Sequence, residues 1–396
     1  MNRHASTSEV FLVFLRLGLT AFGGPIAHLA YFRDEFVRRR QWLSEAAYAD
    51  LVALCQFLPG PASSQVGLAL GLQRAGYRGA LAAWCGFTLP SAILLILLAI
   101  GLVEFGDRLP GGLIAGLKIV AVAVVAQAVW GMAKSLCPDW PRRLLALAAA
   151  ALLLALPSAW SQIGVIVGGG LIGLSLQQSA VTAPGEALAA GIGRRSASLW
   201  LLLFFLALAG LPLLTQAFPG HALAMVDAFY RAGALVFGGG HVVLPLLQAE
   251  VVGAGWIAGE TFLAGYGAAQ AVPGPLFTFA AFLGAAGPAP NGWSGGLLAL
   301  LAIFLPAFLL LAGALPFWDA LRANRWARAA LAGVNAAVVG ILLAALYDPV
   351  WTSAIHGPAE LLLAALAFAA LMFGQQAPWR VRSEEHTSEL QSLTNL

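Results

Sequence analysis

Two arginines stand where a charge is least expected. Arg16 and Arg231 each interrupt an apolar segment, and an arginine at the centre of a bilayer costs at least about 2.5–3.5 kcal/mol. That cost implies a counter-ion or an anionic ligand, and a forked, permanently charged guanidinium suits bidentate binding of an oxyanion. Snorkelling to the interface, or pairing with Asp34, Glu35 or Glu250, are the structural alternatives. Each arginine leads into a glycine break, Gly23-Gly24-Pro25 in one case and Gly238-Gly239-Gly240 in the other. Downstream of each lies a Pro-Gly-Pro turn, at residues 59–61 and 273–275. Glycine permits the tight reversal, and proline opens a helix without losing a backbone donor. At the first turn the free amides and the positive dipole end, with Ser63, Ser64 and Gln65 beside them, suit a tetrahedral oxyanion. A plain kink relieved by neighbouring helices is the alternative.

Gln56 and Gln270 precede the two turns and are placed to donate to a ligand or to orient the tip. The ligand-binding candidates are therefore Arg16, Gly23, Gly24, Gln56, Gly60, Ser63, Ser64, Gln65, Arg231, Gly238, Gly239, Gln270 and Gly274. His28 and His241 follow the glycine breaks, and with Glu35 and Glu250 they are candidates for proton coupling. A hydrogen-bonded core histidine is the competing reading for either ring. Lys118, matched by Asn335, is a weaker charge candidate near a helix end.

Other chemistries lack their residues. The only lysines, Lys118 and Lys134, complete no phosphate-binding GxxxxGK[ST] loop. Gly168, Gly170 and Gly173 spell GxGxxG inside an apolar helix with no preceding strand, which is helix packing. No HExxH or metal-spaced cluster occurs, so no cofactor, no metal and no enzymatic activity are expected. Cys55, Cys85 and Cys137 suggest neither a disulfide framework nor a zinc site.

The elements that must hold these residues follow from composition. Only 10% of the 396 residues are charged, against roughly a quarter in soluble domains. With 60% hydrophobic residues and 45 glycines, the chain reads as an all-α polytopic membrane protein whose helices pack closely in a lipid bilayer. A net charge of +3 is too small and scattered for nucleic acid.

The chain also repeats itself. Arg16, Gly18, Phe22, Gly23, Gly24 and Glu35 recur 215 residues later as Arg231, Gly233, Phe237, Gly238, Gly239 and Glu250. Trp42, Gln56 and Pro59-Gly60-Pro61 recur at an offset of 214, Pro90 at 216 as Pro306, and Gly116 at 217 as Gly333. The loop with Arg33, Arg38, Arg39 and Arg40 is matched by one holding only Glu250. The loop near Glu104, Asp107 and Arg108 is matched by one with Arg322, Arg325 and Arg328. Basic loops stay inside, so the opposite bias predicts an inverted-topology duplication, with a ligand near the midplane where the repeats meet.

Four segments are broken near their middle, at the two glycine breaks and the two Pro-Gly-Pro turns. Arg38–Arg40 before one turn and Arg74 and Arg78 after it favour a re-entrant hairpin, with a single discontinuous crossing as the alternative. Unbroken apolar runs give eight full crossings, at roughly 80–100, 112–132, 144–158, 162–176, 199–216, 296–317, 329–347 and 360–373. Eight crossings plus four hairpins correspond to 10–12 transmembrane segments by a conventional count. The expected domains are residues 8–178 as the first repeat, 179–220 as linker and connecting helix, and 221–381 as the second repeat. Residues 382–396, beginning RSEEHTSELQS, read as a translated sequencing-adapter artefact, with a polar cytoplasmic tail as the alternative. The helix from Gln162 has no partner in the second repeat, so one further helix is expected past residue 378.

Five stretches now carry a resemblance: TAFGGPIAHLAYF from Thr20, CQFLPGPASSQVG from Cys55, AWCGFTLPSA from Ala83, RAGALVFGGGHVVLPLL from Arg231 and GYGAAQAVPGPLFTFAAFLGA from Gly265. Together they resemble the chromate ion transporter family in its long two-domain form, over nearly all of residues 8–381. The resemblance implies a multi-pass protein of the bacterial inner membrane that exports chromate, a sulfate-like dianion, and confers chromate resistance. Its expected partners are the dianion and the lipid bilayer, with a homodimer also considered. A sulfate or other oxyanion permease, an anion channel and a membrane redox subunit are the rival readings.

Overall fold

A computed structural model of the chain describes residues 6–105, 111–175 and 192–373. Asp107, Arg108, residues 179–191 of the linker and the suspected artefact at 382–396 lie outside the described residues. In lipid only internally hydrogen-bonded backbone is tolerated, and helix is the sole regular structure among the described residues. In chain order the helices begin with α1 (Thr7–Thr20), α2 (Gly24–Arg33), α3 (Glu45–Phe57), α4 (Ala62–Phe105), α5 (Gly111–Leu136), α6 (Trp140–Ala155) and α7 (Ala159–Ser175). They continue with α8 (Arg194–Ala217), α9 (His221–Leu235), α10 (Val243–Val251), α11 (Gly259–Ala271), α12 (Phe279–Ala286) and α13 (Gly292–Ala314). The last are α14 (Trp318–Ala323), α15 (Arg325–Ala345), α16 (Thr352–Ala354) and α17 (Pro358–Phe373). They form two compact units, one from residues 6–105 and 192–328, the other from 111–175 and 329–373.

The first unit holds all four broken segments, and each turns back on itself. Helix α1 starts on a Ser6 cap, and Glu9 in its first turn reaches Arg40 at 3.3 Å, beyond the π turn Asp34–Arg39 that extends α2. Were α1 and α2 collinear, the 31 residues between those side chains would separate them by roughly 45 Å at 1.5 Å per residue. The Arg74 guanidinium lies 4.9 Å from the Trp42 ring, joining both ends of the α3 segment. His221, which opens α9, meets Trp256 beyond α10 at 4.5 Å. Helices α11 and α12 pack side by side through Phe262 and Phe279, with ring centroids 5.1 Å apart. The broken segments are re-entrant hairpins, not discontinuous crossings.

After the second hairpin the chain reverses at Ala75 and Gly76, where the backbone leaves helical geometry inside α4. The arms on either side pack backbone to backbone, because any side chain at Gly71 would overlap the Gly79 carbonyl. Gly284 and Gly295 repeat that contact between α12 and α13. The long arm of α4, residues 77–105, then runs against α13 with Trp84 beside Phe304 and Ile96 beside Gly296. Residue numbers rise along one helix as they fall along the other, so these matched helices are antiparallel.

In the second unit, glycine seams bring helices together: Gly333 against Gly169 and Gly173 between α15 and α7, and Gly340 against Ala146 between α15 and α6. Gly173 of the GxGxxG stretch is thus a packing residue, while Gly168 faces open space. Among the described residues five helical stretches have the length and apolarity of a crossing: 62–104, 118–136, 194–217, 292–323 and 325–354. The other three expected crossings, α6, α7 and α17, have 16, 17 and 16 residues. At about 24–26 Å they fall a few ångströms short of a core about 30 Å thick. Helix α6 stops at its Leu156 cap before Pro157, and the stretch up to Ser158 adds no helix.

Candidate functional site

Four hairpin tips meet in the first unit, at residues 21–24, 59–61, 236–240 and 272–275. Their contact is reciprocal. The Gly60 amide donates to the Val236 carbonyl at 2.7 Å, and the Gly274 amide donates to the Ala21 carbonyl at 3.0 Å. Donors and acceptors occupy matched positions of the two repeats, so each Pro-Gly-Pro turn clasps the glycine break of the other half. Both glycines have left-handed backbones, φ 120° and 105°, which explains why no other residue serves there. A third contact joins the glycine breaks themselves: a β-carbon on Gly240 would sit 3.2 Å from Pro25 Cγ. Expected to serve a ligand, the Gly60 and Gly274 amides are instead committed to the partner repeat.

Donors remain beside them. Helix α4 opens directly after Pro61, and the Gln65 amide makes the first return bond, to the Pro61 carbonyl. The amides of Ala62, Ser63 and Ser64 are therefore the terminal donors of the helix, which lack intrahelical acceptors. Ser63, Ser64 and Gln65 are all buried; Ser64 Oγ and Gln65 Oε1 find no partner among the described residues, while Gln65 Nε2 ties the tip to the Pro59 carbonyl at 2.9 Å. The second turn opens differently, into a 3-10 turn capped by Thr278 Oγ1 on the Pro275 carbonyl at 2.7 Å.

Two buried hydroxyls of α4 were missed in the sequence, Ser91 against that tip at Gly274 and Thr88 three residues before it. Ser91 donates to the Thr88 carbonyl at 3.1 Å, and the Thr88 hydroxyl is buried without a partner. Their only sequence signal is being polar in an apolar helix. His28 is buried against Phe87, and neither ring nitrogen has a well-formed partner, although the ring approaches the Ala21 backbone. His241 Nδ1 meets the Tyr266 hydroxyl at 3.1 Å and Gln270 Nε2 at 3.5 Å. Unpartnered polar atoms in a low-dielectric interior each cost about 1–3 kcal/mol; a polar ligand would offset that cost.

The charged candidates lie farther out. Arg231 pairs with Asp227 at 2.9 Å and Glu250 at 3.0 Å, so the pairing alternative holds for it. Arg16 shares an exposed face of α1 with Leu12 and Leu19 and pairs with no described carboxylate. The two arginines were treated alike in the sequence and Asp227 was missed; its signal was its place four residues before Arg231, where Leu12 precedes Arg16. Glu35 binds Arg40 at 2.6 Å and Arg39 at 3.1 Å, at the base of the first hairpin and in none of the stretches long and apolar enough to cross a membrane. Burial opposes its ionisation, but those guanidinium contacts outweigh burial and hold the carboxyl below its ordinary value. Gln56 is exposed, whereas its repeat partner Gln270 is half-buried and reaches His241. Arg322 and Asp50, 2.9 Å apart, join α14 to α3. Among the described residues no cluster of three or more His, Cys, Asp or Glu could hold a metal ion.

The chain is 31% identical over 380 residues to a chromate transport protein of Pseudomonas aeruginosa, covering 93% of this chain and 87% of the relative. It is 28% identical to a chromate transport protein of Cupriavidus metallidurans, covering 92% and 87%. An uncharacterized transporter of Methanocaldococcus jannaschii is 27% identical, covering 87% and 84%. No solved structure matches the chain. The family model for chromate transporters matches twice, over residues 8–174 and 223–382, each stretch holding one glycine break and one Pro-Gly-Pro turn. The chain therefore belongs to the chromate transporter family.

Proposed function

We propose that this protein is a secondary transporter that exports chromate across the bacterial inner membrane, and that it thereby confers chromate resistance. The observation that carries the site is the meeting of four hairpin tips beside buried hydroxyls with no partner among the described residues and terminal helix amides that lack intrahelical acceptors. Donors fixed in a desolvated site suit a dianion whose four oxygens accept several hydrogen bonds at once. In this reading the Ala62–Ser64 amides and the Ser64 and Thr88 hydroxyls hold the oxyanion. Arg16 and Arg231 supply charge along its path, and Glu35, Glu250, His28 and His241 are the groups available for proton coupling. The inverted repeats alternate access by rocking about the reciprocal glycine bonds. The test is uptake of labelled chromate by vesicles carrying Arg16→Gln together with Arg231→Gln. Transport should fall at least tenfold; wild-type rates would remove both arginines from the mechanism.

Neutral donors read tetrahedral shape and charge more than the central atom, which favours sulfate as a second substrate. Sulfate uptake in the same vesicles, competing with chromate, tests that reading.

A further inference from the structure

His241 stands at the junction of three tips, and its environment fixes more than its position. The ring follows the 236–240 break on the 3-10 turn Gly240–Val242. Its Nδ1 faces the Tyr266 hydroxyl at 3.1 Å and Gln270 Nε2 at 3.5 Å, both on α11, the helix that enters the 272–275 tip. Its Nε2 points the other way, to lie 4.0 Å from where a β-carbon on Gly24 would sit, at the first tip. Tyr266 is fully buried, and Gln270 follows it one helical turn later on α11.

The direction of these bonds can be read from what each atom is able to do. An amide nitrogen only donates, so Gln270 Nε2, which faces His241 Nδ1 at 3.5 Å, meets a nitrogen that carries no hydrogen. The Tyr266 hydroxyl then donates to the Nδ1 lone pair. A neutral imidazole with Nδ1 accepting must hold its proton on Nε2. Tyr266 and Gln270 thus both aim donors at His241 Nδ1, which leaves the Nε2–H facing Gly24.

We propose that Tyr266, backed by Gln270, is a positioning residue that locks His241 in the Nε2–H tautomer, so that this N–H donates to the substrate oxyanion beside Gly24. The proposal rests on reading the tips as an oxyanion site. It gives His241 a binding role in place of proton coupling, and it gives Tyr266, a residue with no repeat counterpart since Val52 or Leu51 falls at that place, a function of its own.

The experiment combines two readouts on the full chain. Protein labelled with nitrogen-15 histidine is observed by NMR in detergent, with His241→Gln identifying the resonance and sulfate as the probe ligand. The expected result is the Nε2–H tautomer, with the Nε2 proton signal moving on sulfate addition, and a mixture of tautomers in Tyr266→Phe. In vesicles, Tyr266→Phe should raise the KM for chromate about fivefold with little change in maximal rate. His241→Gln should raise it about tenfold or more, which corresponds to about 1.4 kcal/mol. An Nδ1–H tautomer in the wild type, or a Tyr266→Phe protein with unchanged tautomer and KM, would overturn the proposal. Should the wild type move no chromate while the tautomer and its sulfate response are as expected, the transport reading fails and the tautomer lock stands.

Discussion

Replacing Gly274 by alanine strikes the contact that holds the repeats together. At φ 105° an alanine is strained by about 1–3 kcal/mol. Its β-carbon would also lie 2.7 Å from Ser91 Oγ and 3.2 Å from the Phe87 carbonyl, so the tip must retreat. Retreat stretches the 3.0 Å bond to the Ala21 carbonyl, for a further loss of about 1 kcal/mol. The expected total is about 2–4 kcal/mol. Gly60→Ala meets the same backbone strain, but its nearest neighbour is the flexible end of Gln65 at 3.1 Å, so it should be milder by about 1 kcal/mol. Ser91→Ala removes the closest clashing atom, and the double variant with Gly274→Ala should recover part of the loss as a coupling of about 0.5–1 kcal/mol. Reversible unfolding of purified protein in mixed detergent and SDS measures all four. A Gly274→Ala protein as stable as the wild type, or strict additivity with Ser91→Ala, would refute the reciprocal clasp as described.

Two further expectations concern charges. Asp50→Asn leaves Arg322 with the largely exposed Asp319 as its carboxylate, and should lower stability by about 1–2 kcal/mol; exchanging the pair as Asp50→Arg with Arg322→Asp should restore most of it, and equal damage from the swap would contradict a direct pairing. The Glu35 carboxyl titrates below its ordinary value of 4.5 when folded, so its contribution is present above that value and disappears as pH falls through the folded one. Unfolding midpoints between pH 6 and 3 should therefore fall less steeply in Glu35→Gln than in the wild type, and parallel curves would count against the Arg39–Arg40 clamp.

Much of this architecture was written in local chemistry. Glycine and proline punctuate an apolar chain unambiguously, so the four breaks, the reversal before Ala80 and the opposite charge bias of matched loops could be read directly. What escaped was long-range pairing. Asp50 and Arg322 are 272 residues apart, and no periodicity joins them. Tyr266 and Thr88 look like ordinary residues of apolar helices until the fold brings them to the tips. The duplication also misled where it was too faithful: Gln56 and Gln270 match, yet one faces outward and the other reaches His241. Helix ends were overextended at α6 because an apolar run continues past Leu156, whereas hydrogen bonding stops at the cap.

The central claim is that this fold moves a tetrahedral dianion across a membrane by coupled transport. Everted vesicles containing the protein, given an imposed pH gradient and labelled chromate, test it most directly. Accumulation above the external concentration is expected, competed by sulfate and strongly reduced by Gly274→Ala. Equilibration without accumulation, carried as an electrical conductance, would mean an anion channel, and no uptake at all would mean that the four tips hold some other cargo.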